Sequence, residues 1–184
     1  MPERRPRHVL GARVNLPSSI EGVERQAWPQ IARRLSTGIL LQTTQKKKKA
    51  LFLCTHSSAR SQMAEGLLRH LASDHFEVMS AGTEATHPRE LAVKAMDELG
   101  IDILGQESKT LKRYLVDSFA YDITVCDEAD EACPAFPGAR ERLRWSFKDP
   151  VQASGTEEER LQEFRSVRDE IKERIEKELL PKDG

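Results

Sequence analysis

The chain has 184 residues and a mass of 20.9 kDa, with 32% charged and 38% hydrophobic residues, which suits one domain of ordinary size plus some excess. No apolar run approaches the roughly 20 residues that a membrane-spanning helix needs. Three cysteines and no signal-peptide-like stretch exclude a secreted disulfide scaffold, so a soluble protein of a reducing cytoplasm is expected.

The formal net charge of -1 hides an asymmetry: residues 1–49 hold 11 Lys/Arg against 3 Asp/Glu, whereas residues 50–184 hold 18 against 27. The first segment carries Pro2, Pro6, Pro17 and Pro29 and ends in the run Lys46 to Lys49. Ile20, Val23, Ala27, Ile31 and Leu35 fall at helical spacing, with Trp28 as an added anchor, but Pro29 interrupts them. Residues 1–49 therefore read as a mostly disordered basic extension with at most one short amphipathic helix. Such a segment suits a tether to nucleic acid or an anionic membrane, a transit-like leader, or a solvated or spurious extension; the last reading is adopted.

From Ala50 the pattern is regular and predicts a domain over residues 50–180. Ala50 to Leu53 reads as a buried strand ending at Cys54, Thr55 to Arg60 as a turn, and Gln62 to about Ser73 as a helix with Met63, Ala64, Leu67, Leu68 and Leu71 on one face. Phe76 to Ala81 is a second strand closed by Gly82. Thr86-His87-Pro88 opens a second helix, whose apolar side is Leu91, Ala92, Ala95, Met96 and Leu99 and whose stop is Gly100. Thr110 to Ser118 reads as a third helix, Tyr121 to Cys126 as a third strand, and Arg142 to Phe147 as a half-exposed fourth. Thr156 to Glu159 is a capping box that opens a last helix through Leu161, Phe164, Val167, Ile171, Ile175 and Leu179.

Alternating strands and helices imply an α/β fold: a four-stranded parallel sheet flanked by helices in three layers. Ligands of such sheets sit beyond the carboxyl ends of the strands. Cys54, Cys126 and Asp149 each fall at or just past such an end.

A thiol at a helix N-terminus with an arginine in the same loop is expected to ionise below the free value of roughly 8.5, because both neighbours favour the thiolate. Cys54 is thus a candidate nucleophile. Arg60 offers a planar fork for two oxygens of a tetrahedral oxyanion, and the loop Thr55, His56, Ser57, Ser58, Ala59, Arg60 and Ser61 offers N–H groups for a third. Ser61 is placed to donate to the sulfur. Asp149, before Pro150, is a candidate acid for the departing oxygen, or simply a turn aspartate. Cys126 and Cys133 flank an acidic segment without a CxxC pair or a nearby histidine, so no metal site is expected. They are either incidental or a pair that forms a disulfide when the segment rearranges and passes an oxidation outward from a cysteine near the first.

The stretches CTHSSARSQMAEG at Cys54 to Gly66, SAG at Ser80 to Gly82, VCDEADEACP at Val125 to Pro134, RWSFKDP at Arg144 to Pro150 and FRSVRDEI at Phe164 to Ile171 resemble the thioredoxin-coupled arsenate reductases. These share a fold with the low-molecular-weight protein tyrosine phosphatases. The Cys-(x)5-Arg-Ser loop is common to both; Cys126, Cys133 and Gln62 point to the reductases. The resemblance implies that Cys54 attacks arsenate held by the loop and Arg60, that Asp149 assists the departing hydroxide, and that Cys126 then attacks Cys54. Cys133 next takes over Cys126 to give a disulfide that thioredoxin reduces. It implies no organic cofactor, and arsenate, with phosphate or sulfate as analogues, as the ligand. Some members bind potassium near the loop; Glu65 and Ser80 match that site, Ser57 and Lys109 do not, and the Lys109 ammonium is expected to replace the ion. The rival readings are a phosphomonoesterase using Cys54, Arg60 and Asp149, with Val151 where phosphatases of this fold usually carry an aromatic, and a non-catalytic oxyanion-binding module. Neither a membrane nor a nucleic-acid partner is expected.

Overall fold

The computed structural model describes residues 46–126 and 136–181. These belong to the second of the two units into which the chain divides, Gln45–Gly184. Residues 1–45 of the basic extension, and Cys133, lie outside the described residues; Lys48 and Lys49, expected in that extension, instead begin the first strand, because they pair with Phe76 and Glu77.

Four strands, β1 (Lys48–His56), β2 (Phe76–Glu84), β3 (Phe119–Thr124) and β4 (Ala139–Arg144), form one parallel sheet in the order β2-β1-β3-β4. Three α-helices accompany them: α1 (Arg60–Ala72), α2 (Glu90–Asp97) and α3 (Glu157–Glu178). The period-two alternation of β1 separates its faces. Ala50, Phe52 and Cys54 join Leu67, Leu68, Met96, Phe164 and Ile171 in the main core, under the three helices. Leu51 and Leu53 point the other way, into a smaller cluster with Tyr114, Phe119 and Phe136. The expected three layers are therefore present, but the third is not a helix.

The helix expected over Thr110 to Ser118 is a single 3₁₀ turn, Leu111–Tyr114. The Gly82 N–H donates to the Lys109 carbonyl at 2.9 Å and Thr110 bridges to Gly82. The backbone is tied to the sheet edge where a helix would have to begin, and Leu115 and Val116 face solvent, so no apolar stripe would hold a longer one. The fourth strand begins and ends three residues earlier than expected. Trp145 and Phe147, which suggested alternation, lie past its end and are buried in the main core. β1 also runs on through Cys54 to His56, and α1 starts at Arg60, which leaves a shorter turn than expected.

Other ends obey local rules. Gly100 adopts φ 71° just after α2 and its N–H donates to the Asp97 carbonyl at 2.8 Å, the left-handed stop expected there. Leu99, expected on the apolar side, is 39% exposed and does not join the core. The Thr156 hydroxyl accepts from the Glu159 N–H, and the Glu159 carboxylate accepts from the Thr156 N–H at 2.7 Å, so the capping box closes in both directions.

Candidate active site

The chain runs from β1 to β2 on one side of the sheet and from β1's other neighbour β3 onward on the other, so the crevice beyond β1 and β3 is the topological switch point. Cys54 lies near the carboxyl end of β1 and Cys126 just past β3. The Val125 N–H donates to the Leu53 carbonyl at 2.9 Å, and the Cys126 Sγ lies 4.0 Å from that same oxygen. The cysteines that the sequence separates are thus brought to neighbouring strand ends. Cys126 is disulfide-bonded, whereas Cys54 is a free, buried thiol.

The turn between β1 and α1 is held from several sides. Ser58 N–H donates to the His56 carbonyl at 2.6 Å, Ser57 N–H to Glu84 at 3.3 Å, and Arg89 N–H to the Ser58 carbonyl at 2.8 Å. The Gln62 Nε2 donates to both the carbonyl and the Oγ of Ser57, each at 3.1 Å. α1 opens at Ala59 without a side-chain cap, so its first N–H groups remain available to an anion. Gly82, paired with Cys54 across β1 and β2, makes this packing possible. A Cβ at that position would stand 2.7 Å from Ser57 N, 2.8 Å from Thr55 O and 2.9 Å from Glu84 O, all main-chain atoms. The glycine expected to stop β2 instead lies within it and lets the turn close down.

A pocket forms where Cys54, His56, Ser58, Ala59, Arg60 and Asp149 meet, with Arg89 and Val151 at the same opening. Ser57 and Ser61, expected among the oxyanion contacts, are fully buried and do not line it, and neither does Thr55. Ser61 Oγ has no hydrogen-bond partner, so the expected bond to the Cys54 sulfur is not made. Arg60 is almost completely buried; Nη1 donates to the Phe147 carbonyl at 3.0 Å and Nη2 lies 3.5 Å from the Asp149 carboxylate. Asp149 caps a 3₁₀ turn at Pro150–Gln152 by accepting from the Val151 N–H at 3.2 Å. This bond and the Arg60 contact hold the carboxylate at the pocket that Cys54 also lines.

Burial pushes the Cys54 thiol up from its ordinary value. Arg60 and the His56 N–H pull it down, Asp149 pushes it up again, the Thr55 N–H pulls it down, and burial prevails. The expectation of a thiol ionised below the free value is corrected by this balance. The arginine acts as the sequence suggests, and the N–H groups that help it are those of Thr55 and His56 at the strand end, not the helix start; but a residue only 2% exposed pays a larger desolvation cost, and Arg60 divides its charge with Asp149.

The group matching the potassium site is arranged differently from the expectation too. Glu65 is buried and accepts hydrogen bonds from Ser80 and from Arg69, which also donates to the Val78 carbonyl at 3.2 Å. Lys109 instead donates to the Glu107 carbonyl at 2.9 Å, and Ser57 Oγ is occupied by Gln62. The cation beside Glu65 is therefore Arg69, and the residues do not fit a potassium ion. Among the described residues no cluster of His, Cys, Asp and Glu could hold a metal.

Arg89 is the site residue that sequence reasoning missed. It lies in the segment leading into α2, and only the fold-back of that segment onto Ser58 brings it to the pocket.

A family model described as low molecular weight phosphotyrosine protein phosphatase matches residues 49–182. A protein of Halalkalibacterium halodurans described as arsenate reductase is 48% identical over 129 residues, covering 70% of this chain and 93% of its own. Among solved structures, one described as an arsenate reductase in the phosphate binding state superposes with a TM-score of 0.61 at 34% identity, covering 70% of this chain and 94% of that one. The thioredoxin-dependent arsenate reductase of Corynebacterium glutamicum gives a TM-score of 0.51 at 25% identity, covering 83% of this chain and 77% of that one.

Proposed function

This chain belongs to the low molecular weight phosphotyrosine protein phosphatase family, in its arsenate reductase branch, and from that premise we propose that it reduces arsenate to arsenite by a thiol relay recycled by thioredoxin. The observation that carries the reading is the position of Cys126, its sulfur 4.0 Å from the carbonyl of Leu53, the residue before Cys54. A phosphatase needs only the pocket; a second sulfur beside the nucleophile's own strand end serves a disulfide step.

The chemistry follows from the groups in the pocket. The oxyanion binds against the start of α1 and Arg60. The Cys54 proton is lost as the oxyanion binds, and its sulfur forms a bond to arsenic. One As–O bond breaks, and Asp149 gives a proton to the departing oxygen, which leaves as water. The Cys126 thiolate then attacks the Cys54 sulfur: an S–S bond forms, the S–As bond breaks, and its electron pair stays on arsenic, which leaves as arsenite. The Cys133 thiolate attacks Cys126 and releases Cys54 as a thiolate. The resulting Cys126–Cys133 disulfide takes two electrons and two protons from reduced thioredoxin. A raised Cys54 pKa is compatible with this order, because the proton need leave only when the loop and Arg60 have an oxyanion to hold.

The proposal is tested by exposing reduced Cys133→Ser protein to arsenate without thioredoxin and mapping its disulfides by mass spectrometry. The expected product is a Cys54–Cys126 disulfide with an equal amount of arsenite; arsenite without that disulfide would refute the relay.

A further inference from the structure

We infer that Arg89 is a second oxyanion-binding residue, a guanidinium at the mouth of the pocket that holds the outward face of the anion while Arg60 holds the inner one. The inference deepens the reading of this same site as an oxyanion pocket.

The charge balance asks for it. The guanidinium of Arg60 lies 3.5 Å from the carboxylate of Asp149, so the pair presents little net positive charge to an incoming dianion. Arg89 lines the pocket with Cys54, Arg60 and Asp149. Arg89 is exposed, and among the described residues its guanidinium makes no ion pair or side-chain hydrogen bond; the same holds for Arg140, Arg144 and Arg160, but these do not line the pocket. The main chain of Arg89 is nevertheless fixed, because its N–H donates to the Ser58 carbonyl at 2.8 Å within the turn that cradles the anion. A cation whose backbone is fastened to the anion loop and whose side chain has no protein partner is placed for a ligand. The neighbouring acid His56 faces, Glu84, is 3.4 Å from that histidine and does not engage Arg89.

The test uses the full chain as wild type, Arg89→Ala, Arg89→Lys and, as a control on the exposed first turn of α3, Arg160→Ala. Each is alkylated with iodoacetamide over a range of inorganic phosphate, and the protection of Cys54 is read by peptide mass spectrometry. The alanine variant keeps the main-chain bond to Ser58 and loses only the guanidinium. Its phosphate concentration for half-protection is expected to rise about tenfold, as the loss of a charge-assisted hydrogen bond implies. Lysine should restore part of the loss, added salt should shrink the difference, and Arg160→Ala should match wild type. With arsenate as substrate, KM should rise by a similar factor while kcat stays within about twofold, the pattern of lost uniform binding. Equal protection of wild type and Arg89→Ala would overturn the inference even if arsenate is reduced normally. The expected phosphate shift without any arsenate turnover would support it and defeat the reductase reading instead.

Discussion

Arg60 touches the proposed acid and the main chain just before it: its Nη2 lies 3.5 Å from the Asp149 carboxylate and its Nη1 donates to the Phe147 carbonyl at 3.0 Å. The residue proposed to bind the oxyanion thus also bears on the position of the proposed acid and on the charge felt by the thiol. Asp149→Asn should lower kcat by roughly 10²- to 10⁴-fold, as expected when a general acid is lost. The same change removes a negative charge that raises the Cys54 pKa, so iodoacetamide at neutral pH should alkylate Cys54 faster in the variant. Slower alkylation would contradict the electrostatic account.

Burial of Cys54 makes stability fall with alkali. Its folded-state pKa lies above the unfolded one, so between the two the unfolded chain binds fewer protons than the folded one. The stability associated with this group is complete below about 8.5, the unfolded value, and is lost as pH rises through the folded value. Urea unfolding of reduced wild type and Cys54→Ser over this range should show a steeper decline for wild type; parallel curves would contradict it.

Gly82 is required by space rather than by backbone conformation. Because an added Cβ would meet three main-chain atoms at under 3.0 Å, none of which can rotate away, Gly82→Ala must push the turn off β2. A loss of about 1–3 kcal/mol in stability, as for overpacked sites, should accompany weaker phosphate protection of Cys54. Normal protection in a stable variant would show that the turn tolerates the shift.

The site was legible in the sequence wherever its parts are neighbours in the chain. Cys54, Arg60 and the start of α1 lie within one short stretch, and the α3 capping box closes over four residues, so local chemistry sufficed. What escaped depends on distant contacts. The Thr110 to Ser118 helix was lost to a hydrogen bond from Gly82, and β4 was misplaced because Trp145 and Phe147 alternate for the sake of the core, past the strand's end. The thiol's pKa turned on its burial and on Asp149, neither visible from the Cys54 loop. Arg89 carried no local signal because α2's lead-in reaches the pocket only after folding back.

The Glu65 carboxylate, held by Arg69 and Ser80, yields a paired prediction. Turnover should be the same in potassium as in sodium at equal ionic strength. Arg69→Ala strips the buried carboxylate of a half-exposed cation and leaves it only the Ser80 bond, so it should cost about 1–2 kcal/mol in urea unfolding, below the range for a fully buried pair. Glu65→Gln, which leaves no buried charge behind, should cost less. Selective stimulation by potassium in wild type would contradict the assignment of Arg69 to that place.

The central claim is that the oxidation started at Cys54 is carried away through Cys126 and Cys133. Its most direct measurement is arsenate-dependent NADPH oxidation with thioredoxin and thioredoxin reductase, comparing wild type with Cys54→Ser, Cys126→Ser and Cys133→Ser. Wild type should turn over steadily, and none of the three variants should exceed background. Sustained turnover by Cys126→Ser or Cys133→Ser would contradict it.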